Sequence, residues 1–168
     1  MRHRSGGAPV RSSSERPHAA LPRPDGAWPG EPPGARPDGD EPRPEDVIAF
    51  PDGLPGFEAC RRFVLLSSSE LAPFSVLRAL DPPAPAFLLI DPVAVLARYR
   101  RVLAEADRRR LQADDQDALL WLAIVSVGGD RSASVNLRAP IVINPRLMIG
   151  CQVMPHESLY PLRHPLTL

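Results

Sequence analysis

The chain has 168 residues, in which 20 arginines balance 20 acids and lysine is absent. Hydrophobic residues make up 43% and charged residues 24%, as expected of a globular protein. The longest apolar run, 118–127, is broken by Ser126 and falls short of the roughly 18–20 residues of a membrane span.

Residues 1–45 hold ten of the 22 prolines, six glycines and fourteen charged residues, but only Val10 and Leu21 among the larger aliphatics. So little apolar surface cannot offset the entropy of ordering the segment, and a disordered tail is expected there. Residues 46–168 suit one domain with a single core. The start Met1-Arg2-His3-Arg4 is not followed by the apolar stretch of a secretory signal. With only Cys60 and Cys151 present, no disulfide framework is expected, and the expected compartment is the cytoplasm. Tail and body each balance to zero charge, so no global field draws the chain to nucleic acid or anionic lipid.

In chain order, Val47-Ile48-Ala49-Phe50 is a short apolar run followed by turn chemistry in Pro51-Asp52-Gly53-Leu54-Pro55-Gly56. Strands are expected at 62–67, 74–80 and 86–90, the last two ended by Asp81-Pro82-Pro83 and Asp91-Pro92. Residues 93–113 are ambiguous. Val93, Leu96, Tyr99, Leu103 and Ala106 fit a helical stripe, while 99–103 reads equally as a strand. Residues 104–111 look helical, with Glu105 and Asp107 early and Arg108, Arg109 and Arg110 late, matching the helix dipole. The run 119–127 is a long strand favoured by Ile124, Val125 and Val127, and Gly128-Gly129-Asp130 is a turn. Residues 132–137 alternate, and 141–143 and 147–154 supply two further strands. Six to eight short strands and at most two helices describe a mostly-β fold, a small antiparallel barrel or sandwich.

Chemistry is sparse. His3 and His18 lie in the tail, and His156 and His164 find no partners at metal-ligand spacing, so no metal or other cofactor is expected. There is no Gly-x-Ser-x-Gly elbow, and without lysine neither a Schiff base nor a phosphate-loop lysine is possible. Asp81 and Asp91 each precede proline and read as turn formers, and the 114–117 acids read as a solvated loop. The aromatics sit in apolar strand contexts, which gives no base-stacking platform. A non-enzymatic binding protein is the expectation; the alternative is a small flavin- or nucleotide-binding β-barrel enzyme.

Several segments are more specific. Phe50-Pro51-Asp52-Gly53-Leu54-Pro55-Gly56-Phe57-Glu58, then Pro73-Phe74 with Leu77, and Phe87 through Asp91-Pro92 resemble successive motifs of the flagellar assembly factor FliW family. Val135-Asn136-Leu137-Arg138-Ala139-Pro140-Ile141-Val142-Ile143-Asn144 is similar to that family's most distinctive block, and Gln152-Val153, Tyr160 and His164-Pro165-Leu166 to its ending. The set covers 47–166 in order. A monomer without direct nucleic-acid or membrane contact is expected, and the resemblance implies a non-enzymatic protein with cytoplasmic partners. It implies two partners, flagellin and the RNA-binding translational repressor CsrA, whose release from flagellin mRNA it would control. The expected partner-binding residues are Phe74, Leu77, Asp91, Asn136, Leu137, Arg138 and Pro140, with Asn136, Leu137 and Arg138 foremost. Because the body is neutral, the expected mode is an amphipathic helix in an apolar groove rather than a charged decoy. One departure stands out. Where the family has a first strand, this chain has Arg36-Pro37-Asp38-Gly39-Asp40-Glu41-Pro42-Arg43-Pro44, which cannot serve in a ladder, so an open sheet edge is expected.

Overall fold

The computed structural model describes residues 42–129, 132–155 and 158–167. The expected disordered tail falls outside the described residues up to position 41, and His156 also lies outside them. Of the tail's end, Pro44–Asp46 form a single 3-10 turn that leads into the first strand.

Nine strands follow: β1 (Val47–Ala49), β2 (Arg62–Leu66), β3 (Phe74–Ala79), β4 (Ala86–Ile90), β5 (Leu120–Val127), β6 (Ala133–Val135), β7 (Ile141–Asn144), β8 (Ile149–Gln152) and β9 (His164–Pro165). Two short helices, α1 (Pro92–Val95) and α2 (Glu105–Arg110), lie between β4 and β5. β1 to β4 form an antiparallel meander, and β4 then pairs with β5. β5 pairs with β7, and β7 with β8. β8 meets β1 in parallel at Ala49 and Ile149, closing a seven-stranded ring. The fold is mostly β as expected, and of the barrel and the sandwich it is the barrel. The open edge expected from residues 36–44 is not found, because β1 and β8 close the ring without a further strand among the described residues.

The closing seam has little ladder and is sealed by packing. The Ala49 N–H donates to the Met148 carbonyl at 2.8 Å, and the fully buried Phe50 ring lies across Gly150. A Cβ at position 150 would stand 2.5 Å from that ring, so only glycine lets strand and ring approach this closely. Outside the seam, Arg110 donates to Asp52 Oδ2 at 2.8 Å and to the Gln152 carbonyl at 3.4 Å. The corner after β1 depends on Gly53, whose φ of +68° and backbone neighbours at 2.7 Å leave no room for a side chain. That corner turns Leu54 and Phe57 toward the barrel core.

β5 is long enough to serve two partners on one side. Its first half pairs with β7, Leu122 opposite Ile141, and its second half with β6, Val125 opposite Val135. Asn136 manages the change. Its N–H donates to the Ile124 carbonyl, and its Oδ1 accepts from the N–H groups of Arg138 and Ala139 at 3.1 and 3.0 Å. Pro140, which has no N–H to leave unpaired, then starts the re-entry into β7.

Both faces of this wall are buried, which explains the apolar runs Leu120 to Val125 of β5 and Ile141 to Ile143 of β7. Leu122, Ile141 and Ile143 point into the barrel with Ile48, Phe63, Leu77 and Phe87. Trp121, Ala123, Val125 and Val142 point outward into a second cluster, covered by residues 95–113 and the C-terminal segment. The ambiguous stretch resolves into α1, a turn around Tyr99 and α2, with neither a continuous helix nor a strand at 99–103. β9 has no counterpart in the sequence reading. It is two residues long, contains proline, and forms only because β6 lies beside it: Ser134 pairs with Pro165, Val135 with His164, and the Leu166 N–H donates to the Ala133 carbonyl.

Candidate protein-binding surface

Residues 91–103 are laid over the outer face of the barrel wall by specific local chemistry. Asp91 caps α1, its Oδ1 accepting the Val93 N–H at 2.8 Å, with Pro92 at the first helical position. Arg101 returns to the same carboxylate at 3.2 Å, so Asp91 anchors both ends of the segment.

Between these ends Tyr99 turns inward. Its ring stacks on Tyr160 with centroids 4.6 Å apart, and its hydroxyl donates to the buried Leu137 carbonyl at 3.0 Å. Tyr160 in turn accepts the Arg100 N–H at its hydroxyl (2.8 Å), and its carbonyl accepts Arg138 Nε at 3.0 Å. The Leu137 N–H donates to the Pro161 carbonyl. Three distant segments, 99–100, 137–138 and 160–161, are thus held by four hydrogen bonds and the ring stack of one tyrosine pair. Burial, followed by the neighbouring Tyr160, pushes the Tyr99 hydroxyl up to about 12, so it keeps its proton and remains a donor.

A groove of about 390 Å³ opens beside the pair, lined mainly by Tyr99, Arg100, Val102, Pro155, Leu159 and Tyr160. Two of its lining side chains are among the most exposed large apolar groups of the described residues: Leu159 is 97% exposed and Val102 53%. Leaving such groups clustered in water is unfavourable unless they are covered part of the time.

A second cavity, of about 420 Å³, is polar and internally satisfied. Asp117 Oδ1 accepts Arg146 Nε at 2.7 Å, and Asn144, the buried polar residue of the core, donates to Asp117 and to the Leu111 carbonyl. The Arg146 side-chain hydrogen bond, then the Asp114 backbone N–H, hold the Asp117 carboxyl down at about 2. Arg108 pairs with Asp115 across the same depression. This network ties the 114–117 loop to the β7–β8 turn. Burial raises both thiols, Cys151 to about 11, so neither is an activated nucleophile. Among the described residues no group of three His, Cys, Asp or Glu could hold a metal ion, and no helix is long and apolar enough to cross a membrane.

The residues singled out in the sequence distribute unevenly over this surface. Leu77 is fully buried inside the barrel. Leu137 and Pro140 are buried in the wall, where they place the tyrosine pair and the β7 entry. Phe74 is half-buried against the outer cluster, opposite Ile90. Asp91 caps α1, and Asn136 spends its side chain on the local turn. Arg138 alone is both exposed and adjacent to the groove. The groove-forming residues Tyr99, Arg100, Val102 and Leu159 escaped the sequence reading. The available signal was a leucine with no strand or helix to belong to, in the loop before Tyr160.

The FliW protein family model matches residues 39–166. A flagellar assembly factor FliW of Thermotoga petrophila is 34% identical over 122 residues, 71% of this chain and 82% of that protein. Those of Natranaerobius thermophilus and Geobacter sulfurreducens are 32% and 33% identical over 124 and 120 residues, 73% and 71% of this chain and 82% and 75% of theirs. A crystal structure of the flagellar assembly factor FliW superposes with a TM-score of 0.70 at 31% identity, covering 77% of this chain and 91% of that one. The likeness spans the barrel and the C-terminal segment that builds the groove, and the chain belongs to the FliW family of flagellar assembly factors.

Proposed function

We propose that this protein works in the cytoplasm as a partner switch in flagellum assembly, binding flagellin before export and, once flagellin is gone, binding CsrA. Occupying CsrA relieves repression of flagellin mRNA, so flagellin synthesis follows flagellin use. The observation that carries a binding role is the groove of exposed aliphatic side chains beside a rigid tyrosine pair, a surface suited to covering by another protein. Its rigidity matters, because a preorganised surface loses little entropy on binding. The switch needs the two partners to exclude each other, since a ligand shifts a population only by its differential affinity for the two states.

Calorimetric titration of the full-length chain with the flagellin and the CsrA homologue of the same genome tests the reading. Saturable binding of each, with CsrA binding abolished when flagellin is already bound, is the expected result. Simultaneous binding of both would overturn the switch, and no binding of either would overturn the function.

A further inference from the structure

Although the chain is neutral overall, its arginines differ in their partners. At the polar cavity Arg101, Arg108 and Arg146 each reach a carboxylate within 4.0 Å. At the apolar groove Arg100 and Arg138 are exposed, and, like Arg61, Arg78, Arg98 and Arg163, neither has a carboxylate within ion-pair distance among the described residues. Arg98 and Arg100 flank Tyr99 in sequence, Arg100 lines the groove, Arg138 holds the Tyr160 carbonyl, and Arg163 follows Tyr160 by three positions. The described lining of the groove contains no acid.

We infer that this groove receives an acidic amphipathic segment of a partner protein, an apolar anchor seated between Val102, Leu159 and Tyr160 with carboxylates meeting the surrounding arginines. The inference rests on the reading that this face takes a protein partner, and it names the chemistry of the part that docks. The aliphatic wall supplies affinity through desolvated area, centred on a tyrosine and a leucine. The arginines are exposed, so each ion pair contributes little affinity. Their combined effect is to favour acidic over basic partners and to speed encounter. A single-stranded nucleic acid is disfavoured, because Tyr99 is buried and already stacked on Tyr160 and the rest of the wall is aliphatic.

The test is fluorescence anisotropy of the full-length chain with two labelled helical peptides of roughly 20 residues that share one leucine face and differ only in Glu or Lys flanks. The Glu peptide is expected to bind saturably and the Lys peptide about tenfold more weakly or worse. Leu159→Ser and Arg100→Glu, both at exposed positions that cannot unfold the barrel, each weaken the Glu peptide about tenfold, and Arg100→Glu narrows the charge preference. Leu147→Ser, at the opposite end of β8, changes nothing. Equal affinity for the two peptides, no binding of the Glu peptide, or indifference to Leu159→Ser overturns the inference. So does tighter binding of a thymidine oligonucleotide, or self-association that Leu159→Ser abolishes, which would place a second copy in the groove. Flagellin and CsrA binding that both variants leave intact would sink the groove and spare the function. Selective Glu-peptide binding without either protein would do the reverse.

Discussion

The inside of the barrel and the layer wrapped around it are both hydrophobic, yet they are built on different terms. The interior is almost purely hydrocarbon: Phe50, Phe63, Leu77, Leu89, Ile141 and Ile143 pack with no more than about 1% of their surface exposed, and Phe50 and Phe63 are tilted with centroids 4.7 Å apart. The outer layer uses similar side chains, but its cover is irregular chain, and irregular chain must satisfy its own backbone groups. The Tyr99 and Tyr160 hydroxyls, Arg138 and the Asp91 cap do that. The interior therefore gives stability, while the outer layer gives a shaped surface that a few directional contacts hold in place. That surface is where the groove lies.

This contrast breaks most severely if Phe50 is truncated. Phe50→Ala removes the ring that seals the β1–β8 seam and empties the centre of the core, and is expected to cost about 3–5 kcal/mol in a denaturant titration. Hydrogen exchange should accelerate in every strand together, because the ring opens as a unit. Gly150→Ala attacks the same seam from the other side, placing a methyl against Phe50 at 2.5 Å, and is expected to cost about 1–3 kcal/mol by the same titration. Alanine at 150 tolerated without loss would show that the seam is looser than the interior around it.

A change in the outer layer should be smaller and local. Tyr99→Phe keeps the ring stack but leaves the Leu137 carbonyl without its tyrosine donor, at a cost of about 1–2 kcal/mol. Exchange should then rise at residues 96–103 and 158–161 before it rises in β2 or β3. The hydroxyl also carries a pH signature. Its folded value is raised, from 10.0 to about 12, so its stabilisation is complete below pH 10 and is lost as pH climbs through about 12. Melting temperature measured from pH 9 to 12 should fall more steeply for the native chain than for Tyr99→Phe.

The smallest effect sits in the polar network beside the layer. Asp117 is depressed, from 3.8 to about 2, so its stabilisation is complete above pH 3.8 and is lost as pH drops toward 2. Asp117→Asn should flatten that part of the acid limb in a pH-dependent melt. An unchanged limb would mean that the Arg146 contact is strained or exchanged for water. Cys151 sharpens the comparison chemically: buried and raised to about 11, it should react with a thiol reagent only as fast as the outer layer opens.

The interior was readable in the sequence because it obeys local patterns. β2, β3 and β4 end where proline and serine end them, and the two-faced burial of β5 and β7 shows as apolar runs too short for a helix. Asp91 also read correctly as a former of local structure. The outer layer was opaque for the opposite reason. Tyr99 and Tyr160 stack across 60 intervening positions of no fixed period, and β9 exists only where β6 offers an edge. A motif of interaction residues could not be separated by eye from a motif of corner residues. Leu77, Leu137 and Pro140 turn out to be walls, and the unpaired arginines were hidden inside a zero sum.

By itself, then, the sequence determined a mostly-β fold with a glycine corner, a proline-broken re-entry and a family resemblance, but not whether the sheet closes into a barrel. Turn chemistry and alternation act over a few residues, and so they survive in one dimension. Only the tertiary structure decided which apolar residues stay in water, which arginines lack carboxylates and where those two sets coincide. Exposure and charge pairing are properties of neighbours in space, and the neighbours that line this groove come from two stretches of chain, around Tyr99 and around Tyr160, that no local rule connects.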